Sequence, residues 1–170
     1  MKSVSVVVAT YKREAELKNA LQSLAKQTYP QMEIVLVDDN GDAAWNGKVT
    51  KIVDAFRKDF PEIPFKHIIN PSNKGSAKTR NIGIEAASGY YVTFLDDDDI
   101  YLPDKVRKQA EFMEETGCDY CITDLVLYNE EGKEIDRRIR SYVSDTSASA
   151  LKVYHLKYHM TGTDTMMLKK

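Results

Sequence analysis

An excess of charge of either sign is missing from this sequence. Its 24 Lys and Arg residues stand against 26 Asp and Glu, a formal net charge of −2. No basic stretch exceeds a few residues, which argues against nucleic acid or an anionic membrane surface as partner. Long apolar runs are missing too, since none approaches the roughly 20 residues that span a bilayer. The run Val4–Ala9 is too short for the core of a secretory leader. A cytoplasmic location without a membrane span is the expectation. Internal repeats, low-complexity tracts and interior linkers are also absent, so the 170 residues are expected to form one domain. Cysteine is limited to Cys118 and Cys121. A redox pair wants its first Cys at a helix N-terminus, and a zinc site wants a second pair. This pair opens a strand-like run instead, so both are expected to be buried thiols.

What is present is a regular alternation of strand and helix signals. Ser3–Thr10 carries valine at four of its eight positions in a nearly continuous run, the pattern of a parallel strand buried on both faces. Leu17, Ala20, Leu21 and Leu24 follow at helical spacing, and Glu33–Val37 is a second buried strand. Val49, Ile52, Val53 and Phe56 repeat the helical stripe. Pro61 and Pro64 end it, and Phe65–Ile69 is a short third strand. After the loop Asn70–Gly75, a helix is expected from Ser76 to about Ala87. A fourth strand ends in Asp96-Asp97-Asp98-Asp99, and Val106, Ala110 and Met113 mark another helix with Pro103 at its first position. Cys121–Tyr128 and Lys133–Ile139 read as a hairpin around Asn129-Glu130-Glu131-Gly132. Ser141–Ser149 reads as a polar loop, Ala150–Tyr158 as a short helix and Thr165–Leu168 as the start of a strand. This order predicts an α/β fold with a doubly wound, mostly parallel sheet and right-handed crossovers, plus a small β-hairpin near the C-terminus.

The acidic tetrad is the most informative stretch. Adjacent ionised carboxylates about 4 Å apart repel by on the order of 4 kcal/mol at an effective dielectric near 20. A divalent cation converts that liability into a site, and Mg²⁺ and Mn²⁺ prefer carboxylate and water ligands. Three strands would end at one rim of the sheet, at Thr10-Tyr11, Asp38-Asp39 and Asp96–Asp99, where open α/β sheets bind ligands. The third helix adds Lys78 and Arg80. Such a cleft suits a nucleoside diphosphate. Tyr11 can stack on a base, Asp39 can accept from a pyrimidine N–H, and Arg80 can meet phosphate oxygens. The tetrad would hold the metal that bridges the diphosphate.

Several rival motifs do not fit. Gly75-Ser76-Ala77-Lys78-Thr79 lacks the Gly that a phosphate-binding Walker loop needs where Ala77 stands. An EF-hand beginning at Asp96 would need Gly at Tyr101 and Glu at Arg107. His155 and His159 are four apart but lack the Glu of H-E-x-x-H. A phosphatase of the D-x-D-x-T type wants its Asp pair after the first strand, whereas this tetrad follows the fourth and precedes Ile100.

Four segments carry a family resemblance: V-V-V-A-T-Y-K-R, L-A-K-Q-T-Y-P-Q-M-E-I-V-L-V-D-D-N, N-K-G-S-A-K-T-R-N-I-G-I-E-A-A-S-G and Y-Y-V-T-F-L-D-D-D-D. In order and spacing they resemble the family 2 glycosyltransferases with the GT-A fold, over about residues 3 to 115, with weaker similarity to Leu168. The resemblance implies a Rossmann-like nucleotide-sugar-binding fold and an inverting enzyme that moves a sugar from a UDP-activated donor to a hydroxyl acceptor, a glycan or lipid-linked molecule. It implies that Ala9, Tyr11 and Asp39 hold the uracil, with Thr10, Arg13 and Asp38 beside them. Arg80, with Lys78, approaches the nucleotide. Asp96-Asp97-Asp98 fits the D-x-D motif, with Asp96 and Asp97 toward the nucleotide and Mg²⁺ or Mn²⁺ on Asp98, together with Asp96. Residues 1–115 would be the nucleotide-binding core and 116–170 the start of an acceptor-side half. The family takes its general base from an Asp, often in a Glu-Asp pair, and no Glu-Asp dipeptide occurs here. The base is therefore expected beyond Lys170. A nucleotide-sugar-binding module without catalysis is the alternative.

Overall fold

The structure is a computed structural model and describes residues 1–139, 143, 145, 147–158 and 162–170. The strands are β1 (Val4–Thr10), β2 (Met32–Asp38), β3 (Phe65–Ile69), β4 (Tyr91–Asp96), β5 (Tyr120–Ile122), β6 (Leu125–Tyr128), β7 (Glu134–Arg138) and β8 (Met166–Lys169). Between them lie the helices α1 (Ala15–Ala25), α2 (Ala43–Asp59), α3 (Ser76–Ala86), α4 (Lys105–Thr116) and α5 (Ala148–Tyr158). Six strands make one sheet in the order β3-β2-β1-β4-β8-β5, and β6 and β7 pair separately as the expected hairpin. The pairs β1–β2, β1–β4 and β2–β3 are parallel, whereas β8 runs antiparallel to both β4 and β5. The α/β, mostly parallel architecture is the one the strand and helix signals predict.

The period of two in β1 divides the core. Val4, Val6 and Val8 join Ile34, Leu36 and the apolar stripes of α1, α2 and α4 in one cluster. Val7 and Val35 face the other way, with Val92, Phe94 and Ala87. On that second side α3 lies unusually close to the sheet. A Cβ on Gly83 would stand 2.3 Å from Val7 Cγ1, so only glycine permits the approach. That closeness brings the first turn of α3 to the rim where β1, β2 and β4 end.

Two departures from expectation bear on the architecture. Pro103 precedes α4 rather than occupying its first position, which falls to Lys105 with Asp104 at the cap. The run Cys121–Tyr128 is two strands, not one. Tyr120–Ile122 pairs with β8, and the Thr123 N–H is taken by the Thr165 carbonyl at 3.0 Å. The chain then leaves the main sheet, and Leu125–Tyr128 pairs with β7. Of the loop expected over Ser141–Ser149, residues 141, 142, 144 and 146 lie outside the described residues, as do the His155 side chain and all of His159, and α5 already begins at Ala148 rather than Ala150.

Candidate functional site

Register brings the strand ends together. Thr10 on β1 lies opposite Asp38 on β2, and Ala9 lies between Val37 and Asp96. Parallel strands that stop at one level leave their exit loops side by side, and a cleft of about 390 Å³ opens there. Its wall includes Ala9 and Thr10 at the end of β1, Tyr11 and Arg13 after it, and Asp39 after β2. Arg80 lines it from α3, and Asp96, Asp97 and Asp98 line it from the end of β4.

Each carboxylate of this rim has a different environment. Asp97 is only 5% exposed and turned inward. It accepts from the Thr10 hydroxyl at 2.8 Å, the Tyr11 N–H at 3.2 Å and Arg13 Nη1 at 2.7 Å, tying the β1 exit loop to the end of β4. Asp98 is exposed and shares Arg13 Nη1 at 2.8 Å. Asp96 accepts from Arg80 Nη2 at 2.5 Å. Burial opposes the charge on Arg13, but its hydrogen bond with Asp97 and the charges of Asp97 and Asp98 outweigh it and raise its pKa. Asp99 lies outside the cleft wall. Burial, then the charges of Asp164, Asp98 and Asp96, push its carboxyl up to about 6.

Asp39 forms the opposite side. It is buried, yet it borders the cleft. Its Oδ1 accepts from Asn70 Nδ2 at 2.7 Å and the Lys74 N–H at 2.8 Å, and its Oδ2 from the Gly75 N–H at 3.0 Å. A carboxylate offers about four acceptor positions, so one on Oδ2 remains. Beside it, Tyr11 is 45% exposed and follows directly on the buried Thr10. Lys12 adopts φ of +52°, and its N–H donates to Asn40 Oδ1 at 2.8 Å. This left-handed residue turns the chain sharply after Tyr11.

Two expected residues stand elsewhere. The Asp38 side chain is fully buried behind the rim, accepts from the Asn40 backbone and side-chain nitrogens, and does not line the cleft. It shapes the loop that carries Asp39. Lys78 is exposed on α3 outside the wall, because only Ser76, Thr79 and Arg80 of that helix face inward. The reading from sequence passed over Asn70, Asn73, Gly75, Ser76 and Thr79. The signal was present in Asn70–Gly75, an Asn- and Gly-rich loop directly before a helix, with Gly75 at φ +81°.

The cleft wall carries four carboxylates, Asp39, Asp96, Asp97 and Asp98, and two guanidinium groups, Arg13 and Arg80, a formal excess of two negative charges. A diphosphate alone is repelled by that excess; a diphosphate with a divalent cation is not. Among the described residues no three His, Cys, Asp or Glu side chains converge into a metal cluster. Asp96 and Asp98 bring carboxylate oxygens to the cleft wall, the donor type that Mg²⁺ and Mn²⁺ take, commonly one or two carboxylates with phosphate and water completing the shell.

The family model described as Glycosyl transferase family 2 matches residues 5–170. TuaG of Bacillus subtilis (strain 168), whose name carries a provisional role as a teichuronic acid biosynthesis glycosyltransferase, is 33% identical over 88% of this chain and 57% of its own length. The uncharacterised glycosyltransferase MJ1057 of Methanocaldococcus jannaschii is 31% identical over 98% of this chain and 55% of its own. The chain thus spans little more than half the length of either relative. Among solved structures, S. aureus TarS 1–349 in complex with UDP superimposes with a TM-score of 0.73 at 26% identity, covering 98% of this chain and 46% of that one. The mannosyltransferase PcManGT from Pyrobaculum calidifontis, in complex with GDP-Man and Mn²⁺, shares the fold with a TM-score of 0.71 at 17% identity. With its strand-end cleft, its acidic rim and a family match over nearly its whole length, this chain belongs to glycosyl transferase family 2.

Proposed function

We propose that this chain binds the donor of an inverting, metal-dependent glycosyltransferase, and that the donor is a UDP-sugar. The observation that carries this reading is the placing of Asp39, with an acceptor position left on Oδ2, opposite Asp96 and Asp98 in one cleft. Uracil stacks on Tyr11, and its ring N–H donates to Asp39. Ala9 and Thr10 border the base, while Arg13 and Arg80 orient the carboxylates and approach the diphosphate. Asp98, with Asp96, holds Mg²⁺ or Mn²⁺, which would neutralise charge on the departing diphosphate. An acceptor hydroxyl, on a glycan or lipid-linked molecule, forms the new bond to the anomeric carbon as the bond to the UDP oxygen breaks. Its proton passes to a base on the acceptor-side part of the enzyme, and the configuration inverts. Residues 1–115 form the nucleotide-binding core and 116–170 begin the acceptor side. The reading draws support from a solved TarS complex with UDP-GlcNAc at 26% identity. It places the reaction in the cytoplasm, where nucleotide sugars are at hand.

Calorimetry with UDP and CDP, each with Mn²⁺ or with EDTA, tests it. UDP is expected to bind appreciably only with metal, and more tightly than CDP by about 1–3 kcal/mol, since the cytosine ring nitrogen facing Asp39 carries no hydrogen. Equal UDP affinity in EDTA and Mn²⁺ refutes the metal role, and equal affinity for UDP and CDP refutes the role of Asp39.

A further inference from the structure

Asp39 reads a base N–H only if its carboxylate is held with one acceptor position facing the cleft. Two of its three donors, the Lys74 and Gly75 amides, come from an exposed loop. The third comes from a different kind of place. Asn70 directly follows β3, is 3% exposed, and its N–H donates to the Asp38 carbonyl at 2.8 Å, so its backbone is tied to the end of β2. Its Nδ2 donates to Asp39 Oδ1 at 2.7 Å and lies 3.5 Å from Oγ1 of Thr79, which is fully buried on α3. Asn70 thereby joins three elements around one carboxylate: the end of β3, the end of β2 and the first turns of α3.

We propose that Asn70 is a specificity-positioning residue, which presets the Asp39 carboxylate before the nucleotide arrives and so sets the preference for a base that presents a ring N–H. The inference rests on the reading of Asp39 given above. The loop amides can follow a ligand as it enters, but a donor anchored to the sheet cannot. Occupying Oδ1 from behind leaves Oδ2 as the oxygen that faces the base. Without Asn70 the carboxylate is free to rotate about its last torsion, and a site built to hydrogen-bond one group discriminates only while its acceptor is held in place.

The test pairs UDP with CDP, both with Mg²⁺, on wild type and on Asn70→Asp between pH 5.5 and 8. The variant keeps the side-chain shape and faces one carboxylate with another. Two carboxylates at that distance share a proton at acid pH and repel once both ionise. The UDP-over-CDP ratio of Asn70→Asp is expected to be near wild type at pH 5.5 and to fall on the order of tenfold by pH 8. The wild-type ratio is expected to stay flat. A purely structural Asn70 changes melting temperature but not that ratio, so a ratio unchanged across the pH range overturns the proposal. Equal UDP and CDP binding by wild type is a separate result, which removes the reading of Asp39 itself. Should Asn70→Asp fail to fold, Asn70→Ser decides by the same ratio.

Discussion

Asp97 and Asp98 are neighbours in sequence, share Arg13, and should respond oppositely to alanine. Asp97→Ala removes a buried acceptor from three donors. The Thr10 hydroxyl is itself buried and would lose its partner, and a stranded buried polar group costs about 1–3 kcal/mol. The bond to Arg13 is charge-assisted but belongs to a side chain 40% exposed, so its contribution is reduced by screening. Together these put the loss of stability at about 3–4 kcal/mol. Asp97→Asn keeps an oxygen toward Thr10 and the Tyr11 N–H but turns an amide toward Arg13, and should lose about 1–2 kcal/mol. Asp98 is 47% exposed and meets only that exposed guanidinium, so Asp98→Ala should change stability by less than about 1 kcal/mol. Its effect belongs to function: the Mn²⁺ dependence of UDP binding should disappear. The assay is urea unfolding of all three variants beside calorimetry with UDP in Mn²⁺ and in EDTA. If Asp98→Ala destabilises as much as Asp97→Ala, or if Asp97→Ala unfolds like wild type, the division between an inward strut and an outward ligand is refuted.

At the opposite end of the sheet, burial works to raise the Glu33 pKa, but hydrogen bonds from Ser5, Ser88 and Lys66 prevail and bring it down to about 2. A depressed carboxyl contributes stability above its unfolded value, and that contribution is lost as pH falls from about 4.5 through 2. Glu33→Gln should therefore cost about 3 kcal/mol at pH 7 and flatten the acid limb of a stability-pH curve. The Lys105 ammonium is turned inward, donating to Thr93 Oγ1 at 2.7 Å and lying 3.8 Å from the centre of the Tyr101 ring. Burial depresses its pKa to about 7, against the charges of Asp164 and Cys121. The unfolded chain then binds the extra proton between pH 7 and about 10, so stability should rise across that window in wild type and not in Lys105→Met. Gly83→Ala drives a methyl into Val7 and should lower stability by about 1–3 kcal/mol, read by thermal denaturation; an unchanged midpoint would show that α3 can lift without cost.

Patterning alone was enough to specify the layers of this protein. A strand such as Val4–Thr10, apolar at every position of its middle, has no stable place except between two helical layers, and the 3.6-residue stripes of α1, α2 and α4 supply one of them. Strand ends that run into Asp38-Asp39 and Asp96–Asp99 could not be buried without partners or a cation, so the rim of the sheet was also legible as the functional edge. What one dimension does not carry is direction. Asp38 and Asp39 are adjacent, yet consecutive side chains at a strand end point to opposite sides: one disappears behind the rim and the other borders the cleft. The same geometry divides the acidic tetrad among an arginine of α3, the buried hydroxyl of β1, the open cleft and a half-buried corner. Lys78 and Arg80 lie two residues apart on one helix, about 200° around its axis, so only one can face the site. Asn70 is a loop residue like any other until the sheet places it behind Asp39, 31 positions away in the chain. Local pattern reflects what each segment must bury, whereas the reach of one side chain toward another depends on register, helix rotation and the closeness that Gly83 allows, all of which arise only when the layers pack.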